Sequence, residues 1–473
     1  MPFCGCHSSL TEHNAFVRHF RCPEALARFV VVGELSEEEG YFSFEGATCF
    51  GRRAGYRPSR FFGNGLTAAT EKTQSQPNVL HLPFDFSAVI ENLQQERYRR
   101  PSRYAGRSTA VAAAKSFYYF LRPGLSVAVR KHLQRLRLRG WERIAFPQWP
   151  VDNTVETLMD GAMRLLLEGS GASSIPFIWF WPEGARSCVV MTHDVEGPSG
   201  RDFSGQLMDL DDSFGIKSSF QLVPDMEGDR LGELAAQFRR RGFEVNLHDL
   251  NHDGYLFHNR KEFEKRAARI NAYARELGCL GFRAGAMYRK QHWYDALDFS
   301  YDMSVPNGGH LEAQRGGCCT VMPYFIGRIL ELPLTTVQDY SLFHILGNYS
   351  ISLWKEQIEL IANRHGLITF ITHPDYLIEG RARSVYTDLL THLDRLRTTD
   401  NLWFALPRDV DCWWRHRSRM ELTHDGERWC IAGPDSDRAR VAHARLVGGR
   451  VVYSVERSAD RSAPPAPPQT VTR

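Results

Sequence analysis

From about residue 187 onward, apolar runs of strand length alternate with longer segments whose apolar residues recur at helical spacing. Such alternation favours a parallel sheet whose strands are connected by helices. Seven or eight strand–helix units predict a closed or nearly closed barrel. We therefore expect an α/β fold for residues 181–418, a (β/α) barrel of about seven to eight units. The strand-like runs are SCVVMTH, KSSFQLV, FEVNLH, GFRAG, YDMSV, ILELPL, LITFITHP and LWFAL.

The regions on either side of this alternation carry weaker patterns. Residues 1–180 predict an irregular α+β region of unclear fold. Within it, the basic block near 97–140 favours a helix, which either packs on the domain or lies on an anionic membrane surface. Residues 419–460 predict a small β-containing appendix, and the proline-rich residues 461–473 predict a disordered tail.

Composition argues against several classes of protein. The net charge of +3 is too close to neutral for a nucleic-acid binder. The ten cysteines are scattered and do not predict a disulfide framework. The N-terminus lacks the pattern of a signal peptide, and no run of about 18 apolar residues predicts a transmembrane segment. We expect a cytoplasmic protein with reduced thiols.

Four of the strand-like runs end in residues that titrate or carry charge. Reactive groups gather at the carboxyl ends of the strands in parallel barrels, so these residues are candidates for one site. The four groups are His193, Asp194 and Glu196 after the first run, His248 and His252 after the third, Arg283 in the fourth, and His373 and Asp375 after the seventh.

The pair His248 and His252 points most directly to a metal. Two histidines four residues apart face one way if the residues between them form a helical turn, and imidazole suits zinc and similar divalent ions. A carboxylate from another strand end would complete a hydrolytic ligand set with open positions for water and substrate. Each residue also has a structural interpretation: His193 hydrogen-bonded in its loop, Arg283 in a salt bridge, or His373 closing a strand end.

These residues resemble the motifs of the polysaccharide deacetylase family, the NodB-homology carbohydrate esterases of family four. The resemblance covers about residues 190–415 and implies a distorted (β/α) barrel. The matching segments, in the family's order, are Thr192-His193-Asp194-Val195-Glu196, His248-Asp249-Leu250-Asn251-His252, GFRAGAMYR with Arg283, SYDMSVPN with Asp302, and FITHPDY with His373.

The first motif departs from the usual T-F-D-D of the family because Val195 occupies the place of the second aspartate. Residues two apart in a strand face the same side, so Asp194 and Glu196 can both enter the site. One interpretation makes Asp194 the base and Glu196 the metal ligand. The alternative places Asp194 on the metal and Glu196 outside the site.

The resemblance implies a role for each remaining residue. Glu196, His248 and His252 would hold a divalent metal, expected to be zinc, and Asp194 would be the base, kept ionised by Arg283. His373 would protonate the leaving amine, with Asp302 holding its tautomer. Tyr255 and Tyr376 are expected at the substrate, with the backbone N–H of Tyr255 or a neighbour near the oxyanion.

The function implied is a metal-dependent hydrolase that removes N-acetyl groups from an amino-sugar polysaccharide or its precursor, in surface-polysaccharide biosynthesis. Two alternatives stay open. One is a related hydrolase of another C–N bond, such as a deformylase or a cyclic-amide hydrolase. The other is a carbohydrate-binding barrel that has lost catalysis, which the valine in the first motif would favour.

Overall fold

The computed structural model describes residues 14–55, 59–63, 65–69, 73–99 and 135–456. The strands are β1 Arg28–Val31, β2 Gly40–Phe44, β3 Ala47–Gly51, β4 Gln74–Gln76, β5 Val79–Leu82, β6 Ile175–Ile178, β7 Ser187–Val195, β8 Ser219–Leu222, β9 Glu244–His248, β10 Gly281–Arg283, β11 Tyr301–Asp302, β12 Tyr324–Ile326, β13 Ile329–Glu331, β14 Leu367–Thr372, β15 Leu402–Phe404, β16 Glu421–His424, β17 Trp429–Ala432, β18 Val441–Val447 and β19 Arg450–Val455. The α-helices are α1 Ala15–Phe20, α2 Phe86–Gln94, α3 Thr154–Ser170, α4 Pro198–Ser213, α5 Pro224–Glu227, α6 Leu231–Arg240, α7 Arg260–Leu277, α8 Ser352–Ala362, α9 Gly380–Thr399 and α10 Pro407–Arg419.

The central sheet is curled and contains nine strands: eight in the order β12-β13-β11-β10-β9-β8-β7-β14, and β15, which also pairs with β7. The β12–β13 pair is antiparallel, and the other neighbours are parallel. The predicted mixed α/β class is confirmed. The alternation of strands and helices is less regular than expected, because β10 is connected to β11 by the short 3-10 segment Gln291–Ala296 and not by an α-helix. The number of strand–helix units stays a prediction.

Strand β7 forms the centre of this sheet. All nine of its residues are buried, as expected for a parallel strand covered on both faces. It pairs with β14 from Cys188 to His193 and with β8 from Thr192 to Val195. Because these neighbours are parallel, the carboxyl ends of β7, β8, β9, β10 and β14 all lie at one rim of the curled sheet.

The two ends of the curled sheet approach each other through threonine side chains. The chain just after β13 meets β14, where the backbone N–H of Thr335 donates to Oγ1 of Thr369 over 2.8 Å. The hydroxyl of Thr335 donates to the carbonyl of Leu367, and that of Thr336 to the carbonyl of Thr369, over 2.7 and 2.6 Å. We call this contact of residues 335–336 with β14 the threonine seam. It brings the segment after Thr336 beside the carboxyl end of β14.

The terminal regions share a second core beside the barrel. Strand β18 pairs with β6 in antiparallel register, so part of the predicted appendix at 419–460 forms one sheet with the end of the region 1–180. Buried apolar residues from Phe16 to Ala444 form one cluster that also includes Cys188 and Val190 of β7. The predicted boundaries therefore divide residues that pack together.

Two predictions concern segments beyond the described residues. Residues 100–134 hold most of the predicted basic helix at 97–140, and residues 457–473 include the predicted disordered tail, so both stay predictions. In the described ranges, every helix is too short or too polar to cross a lipid bilayer.

The threonine seam predicts a stability effect. Thr369→Val keeps the shape of the side chain but leaves the buried N–H of Thr335 without its acceptor, which should lower the free energy of unfolding by about 1–3 kcal/mol in urea denaturation. Thr391→Val on the exposed face of α9 is the matched control and should change it by less than about 0.5 kcal/mol. Equal effects of the two substitutions would contradict the role of the seam.

Candidate active site

Two carboxylates stand at the carboxyl end of β7. Asp194 is 3% exposed and is followed, just past the strand, by Glu196, whose side chain is 25% exposed. Side chains two residues apart on a strand face one way, and both acids reach the same space. Ligand atoms of Asp194, Glu196 and His373 lie within 4.8 Å of one another. Because they are two residues apart, both acids therefore lie at one site.

The predicted histidine pair faces Glu196. Strand β9 ends at His248, and its Nε2 lies 3.3 Å from Oε1 of Glu196. Nε2 of His252 lies 2.9 Å from the same oxygen. These three residues form a group whose ligand atoms all lie within 4.8 Å of one another. The structure thus brings together the three residues expected to hold a metal.

The segment between the histidines is not the helical turn that we expected. Asp249 and His252 have φ values of 58° and 55°, in the left-handed region that α-helices of L-residues avoid. An Asp tolerates this conformation because its side chain bonds locally, and Oδ1 of Asp249 accepts the N–H of Leu250 over 2.7 Å. The imidazole rings still converge, with centroids 4.8 Å apart. The i, i+4 spacing correctly predicted that the two rings converge, but the backbone between them does not form the expected helical turn.

Gly285 makes room for this loop. A Cβ at this position would lie 2.6 Å from Oδ2 of Asp249 and 3.0 Å from Cδ2 of His252, closer than real Cβ contacts. The glycine therefore lets the chain after β10 pass directly beneath the histidine loop.

The donor chemistry fits a divalent cation. Nδ1 of His248 lies 3.2 Å from the carbonyl of Arg283, which can only accept, so this nitrogen carries the proton. With the proton on Nδ1, Nε2 of His248 turns its lone pair toward a carboxylate oxygen of Glu196, and a cation between the two acceptors would remove their repulsion. Two imidazoles and one carboxylate, with positions left open, suit zinc. The residues that would hold the ion are Glu196, His248 and His252.

Asp194 is bound to Arg283 at the floor of the site. Nη1 of Arg283 donates to Oδ1 of Asp194 over 2.5 Å, and Nη2 donates to the hydroxyl of Thr192 over 2.9 Å. Oδ2 of Asp194 lies 3.7 Å from Nε2 of His248. Burial alone would raise the pKa of Asp194, but the positive charge of Arg283 lowers it below its ordinary value. Asp194 is therefore held as a carboxylate with one oxygen facing the candidate metal site.

His373 also lies near Glu196, and its partner is Asp339. Nδ1 of His373 contacts Oδ1 of Asp339 at 2.6 Å, and the backbone N–H of His373 donates to Oδ2 over 2.7 Å. Nε2 of His373 lies 3.5 Å from Oε1 of Glu196. Burial alone would lower the pKa of His373, but Asp339 and Glu196 raise it well above its ordinary value. The imidazole is thus oriented and protonated at the edge of the site.

Asp302 does not hold His373, in contrast to our expectation. Its carboxylate accepts the hydroxyl and the N–H of Ser304 over 2.8 and 3.0 Å, and in register it lies beside Glu331 of β13. Burial raises the pKa of both acids, and their proximity raises that of Glu331 further. Ionisation of these two neighbouring carboxyl groups is therefore disfavoured inside the sheet. Through Ser304, whose hydroxyl accepts the N–H of Ala284, Asp302 supports the end of β10.

His193 has the structural role that was its alternative interpretation. The ring is fully buried, with Nδ1 2.7 Å from the hydroxyl of Thr372 and Nε2 2.9 Å from Oδ2 of Asp211. Its side chain points away from Glu196, as alternation along β7 requires. His193 therefore ties β7 to β14 and α4.

The two tyrosines expected at the substrate have different surroundings. The backbone N–H of Tyr255 donates to Oδ1 of Asp253 over 2.8 Å, so it is committed within the loop and is not placed as an oxyanion donor. Tyr376 packs against His373, with ring centroids 4.8 Å apart. The rings of His344 and Tyr340 follow at 4.9 and 5.9 Å from Tyr376. An aromatic wall therefore adjoins the candidate acid.

Comparisons with known proteins describe the fold only. No protein-family profile and no curated protein matches the sequence. Among solved structures, a protein described as a polysaccharide deacetylase from Mycobacterium smegmatis is 17% identical, with a TM-score of 0.42, over 50% of this chain and 93% of its own. One from Pseudomonas aeruginosa PAO1 is 13% identical, with a TM-score of 0.41, over 50% and 93%. A CE4 family pseudoenzyme from Bacillus anthracis is 12% identical, with a TM-score of 0.30, over 48% and 65%.

Metal content distinguishes the two assignments of the β7 acids. Glu196→Ala should lose one bound divalent ion per chain, measured by plasma emission spectroscopy after gentle purification. Asp194→Asn should keep it, because Arg283 and not the ion neutralises Asp194. The reverse result would assign Asp194 to the metal.

The control for this measurement concerns a trio of possible metal ligands outside the candidate site. Ligand atoms of Cys412, His416 and Asp435 also lie within 4.8 Å of one another, on the surface. All variants are therefore compared in a Cys412→Ser background, in which that trio is incomplete.

Proposed function

We propose that this protein is a metal-dependent hydrolase that removes N-acetyl groups from an amino-sugar polysaccharide or its precursor. The observation that carries the proposal is the arrangement around Glu196. A carboxylate and two histidines form a donor set, and it is adjoined by an aspartate paired with Arg283 and by a histidine paired with Asp339. A base and an acid beside a metal site are what hydrolysis of an amide requires.

The metal is expected to be zinc, held by Glu196, His248 and His252. When bound, such an ion lowers the pKa of water and polarises an acyl carbonyl. The protein's own contribution is to fix the ligands: Glu196 follows a fully buried strand, and His248 is held by the carbonyl of Arg283. A shifted ligand would misplace the water relative to the base.

Asp194 is proposed as the base that takes the proton of the attacking water. Its Oδ1 is bound by Arg283, which leaves Oδ2 as the oxygen that faces the site. The ion pair lowers the basicity of the carboxylate but guarantees that it is ionised at neutral pH. The guanidinium also fixes the direction of the carboxylate, so the proton-accepting oxygen has one position.

His373 is proposed as the acid that protonates the leaving nitrogen. Asp339 accepts the Nδ1 proton, so Nε2 is the nitrogen that points to the site and carries the transferable proton. This is the role expected of an imidazole backed by a carboxylate. Asp339 is a positioning residue because it acts through His373 and not on the substrate.

The aromatic wall of Tyr340, His344 and Tyr376 is proposed to contact the sugar. Aromatic side chains offer an apolar face together with a polar edge, which suits the mixed surface of a pyranose ring. This wall adjoins His373, so a sugar lying on it would present its amide nitrogen to the acid. Location in the cytoplasm and a place in surface-polysaccharide synthesis stay predictions.

The alternatives differ from this proposal in a measurable way. Another C–N hydrolase would use the same centre on a different acyl group. An inactive carbohydrate-binding barrel has no need for an acid and a base on either side of a metal site, and the paired Asp194–Arg283 and His373–Asp339 favour catalysis.

The direct test is the release of acetate from N-acetylglucosamine oligomers and from N-acetylglucosamine 1-phosphate by the zinc-loaded protein. Asp194→Asn should lower kcat by about 10²–10⁴-fold while zinc is retained, because the base is lost and the ligands stay. Glu264→Gln on the exposed face of α7 should have no effect. Undiminished release by the Asp194 variant would remove this residue from the mechanism.

Asp339 and His373 should form one functional unit. His373→Ala should lower kcat by about 10²–10⁴-fold, and Asp339→Asn should cause part of that loss because the imidazole would lose its fixed tautomer. In the double variant the two losses should not multiply, since Asp339 acts through His373. Zinc content should be unchanged in all three, and multiplicative losses would show that Asp339 acts independently.

A further inference from the structure

A basic cavity lies beside the candidate active site. Its volume is about 430 Å³, within the range of sites for small ligands. One wall is the loop after His252, with Gly254 and Phe257, and another is the segment Tyr288–Lys290 after β10. The loop at 312–315 and two arginines from the region before residue 140 complete it. The N-terminal region therefore contributes to a cavity at the rim of the barrel.

Two connections place this cavity next to the reacting groups. Gly254 is two residues after the proposed ligand His252, so its Cα lies within roughly 8 Å of that residue's Cα. On the other side, the cavity residue Glu312 accepts a hydrogen bond from Gln338 over 2.6 Å, and Gln338 directly precedes Asp339. The cavity is thus bounded by the histidine loop and by the segment that positions the acid.

The cavity is strongly cationic. Its lining includes one carboxyl group, that of Glu312, and burial raises the pKa of that group. The cationic lining residues are Arg99, Arg137, Arg289, Lys290 and Arg315.

Contacts with neighbouring groups hold several of these side chains in place. Nε of Arg289 lies 2.6 Å from Oε2 of Glu96, and the same carboxylate lies 3.7 Å from Arg99. Arg137 donates to the carbonyl of Ala313 over 2.7 Å. Lys290 lies 4.0 Å from the centre of the Trp293 ring, which attracts its ammonium group.

We propose that this cavity binds a phosphate or diphosphate group attached to the anomeric carbon of the amino sugar, so that the substrate is a glycosyl phosphate and not a neutral polymer. The proposal rests on the function proposed above. Several cations around one cavity match a group with more than one negative charge, and guanidinium groups bind phosphate oxygens in pairs.

The stereochemistry of the substrate agrees with the position of the cavity. In a 2-acetamido sugar the amide is on C2 and the phosphate on C1, which are bonded neighbours. An amide at the metal donors therefore requires a phosphate binding site immediately beside them. The cavity borders the loop that follows His252 and the loop at 312–315, which agrees with this requirement.

Binding of a product analogue tests the proposal without catalysis. Calorimetry of the zinc-loaded protein with glucosamine 1-phosphate, which has no acetyl group to lose, should give at least about tenfold tighter binding than with glucosamine. Lys290→Gln with Arg315→Gln should remove most of this difference, and raising KCl from about 50 to about 500 mM should reduce it. Arg240→Gln, an exposed arginine on α6, is the matched control and should bind as the native protein does.

Three results would overturn the proposal: equal affinity for glucosamine and its 1-phosphate, native affinity in the Lys290 and Arg315 variant, or inorganic phosphate alone binding as tightly as the sugar phosphate. Unchanged melting temperature and zinc content of the variant exclude misfolding. Tight binding of glucosamine 1-phosphate together with no acetate release from any substrate would reject the hydrolase and keep the binding site.

A second titration distinguishes the source of the phosphate. Uridine diphosphate glucosamine and a soluble short-chain prenyl diphosphate glucosamine share the anomeric diphosphate and differ in the group attached to its far end. Both should bind more tightly than glucosamine, and the tighter of the two identifies a nucleotide or a lipid carrier. Failure of both to exceed glucosamine would contradict the proposal.

Discussion

The buried residue Arg283 connects the parts of the candidate site. Its guanidinium donates to Asp194 and Thr192 of β7 and to the carbonyl of Met303 after β11. Its own carbonyl accepts the N–H of Asp249 and the Nδ1 proton of His248. One residue of β10 thereby fixes the proposed base, a proposed metal ligand and the start of the histidine loop. Removing one partner of such a buried pair typically costs about 3–5 kcal/mol, so stability and chemistry are coupled here.

The N-terminal region is joined to the barrel by a second buried ion pair. Glu96, just after α2, meets Arg289 beyond β10, and both side chains are almost fully buried. Gln314 accepts the N–H of Arg289 and donates to its carbonyl, over 3.1 and 3.0 Å. The loop that borders the basic cavity is therefore held by a residue that also anchors the N-terminal region. If the basic cavity binds the substrate as proposed, the region before the barrel takes part in that binding.

Sequence patterns predicted the strands and their reactive ends better than the contacts between them. Apolar runs alternating with segments of helical spacing correctly predicted β7, β9, β10 and β14. The two-residue spacing of Asp194 and Glu196 correctly predicted that both acids share one face. The partner of His373 was missed, although Asp339 follows the apolar run ILELPL at a similar rim position. The choice between Asp302 and Asp339 depends on which strands are neighbours, and β13 meets β14 through side chains that have no periodic signature. The left-handed turn at 249–252 was also not predicted, because the spacing of the two histidines indicates the direction of their side chains but not the conformation of the backbone between them.

The threonine seam has a mechanical consequence for the site. Asp339 follows the seam on the side of β13, whereas His373 follows β14 on the opposite side. The metal donors, in contrast, extend from β7 and β9, which are joined through β8 by continuous parallel ladders. A small separation of the barrel edges would therefore move His373 away from Asp339. The metal donors on β7 and β9 would keep their arrangement. In the proposed mechanism, His373 is therefore paired with Asp339 only when the two edges of the barrel meet.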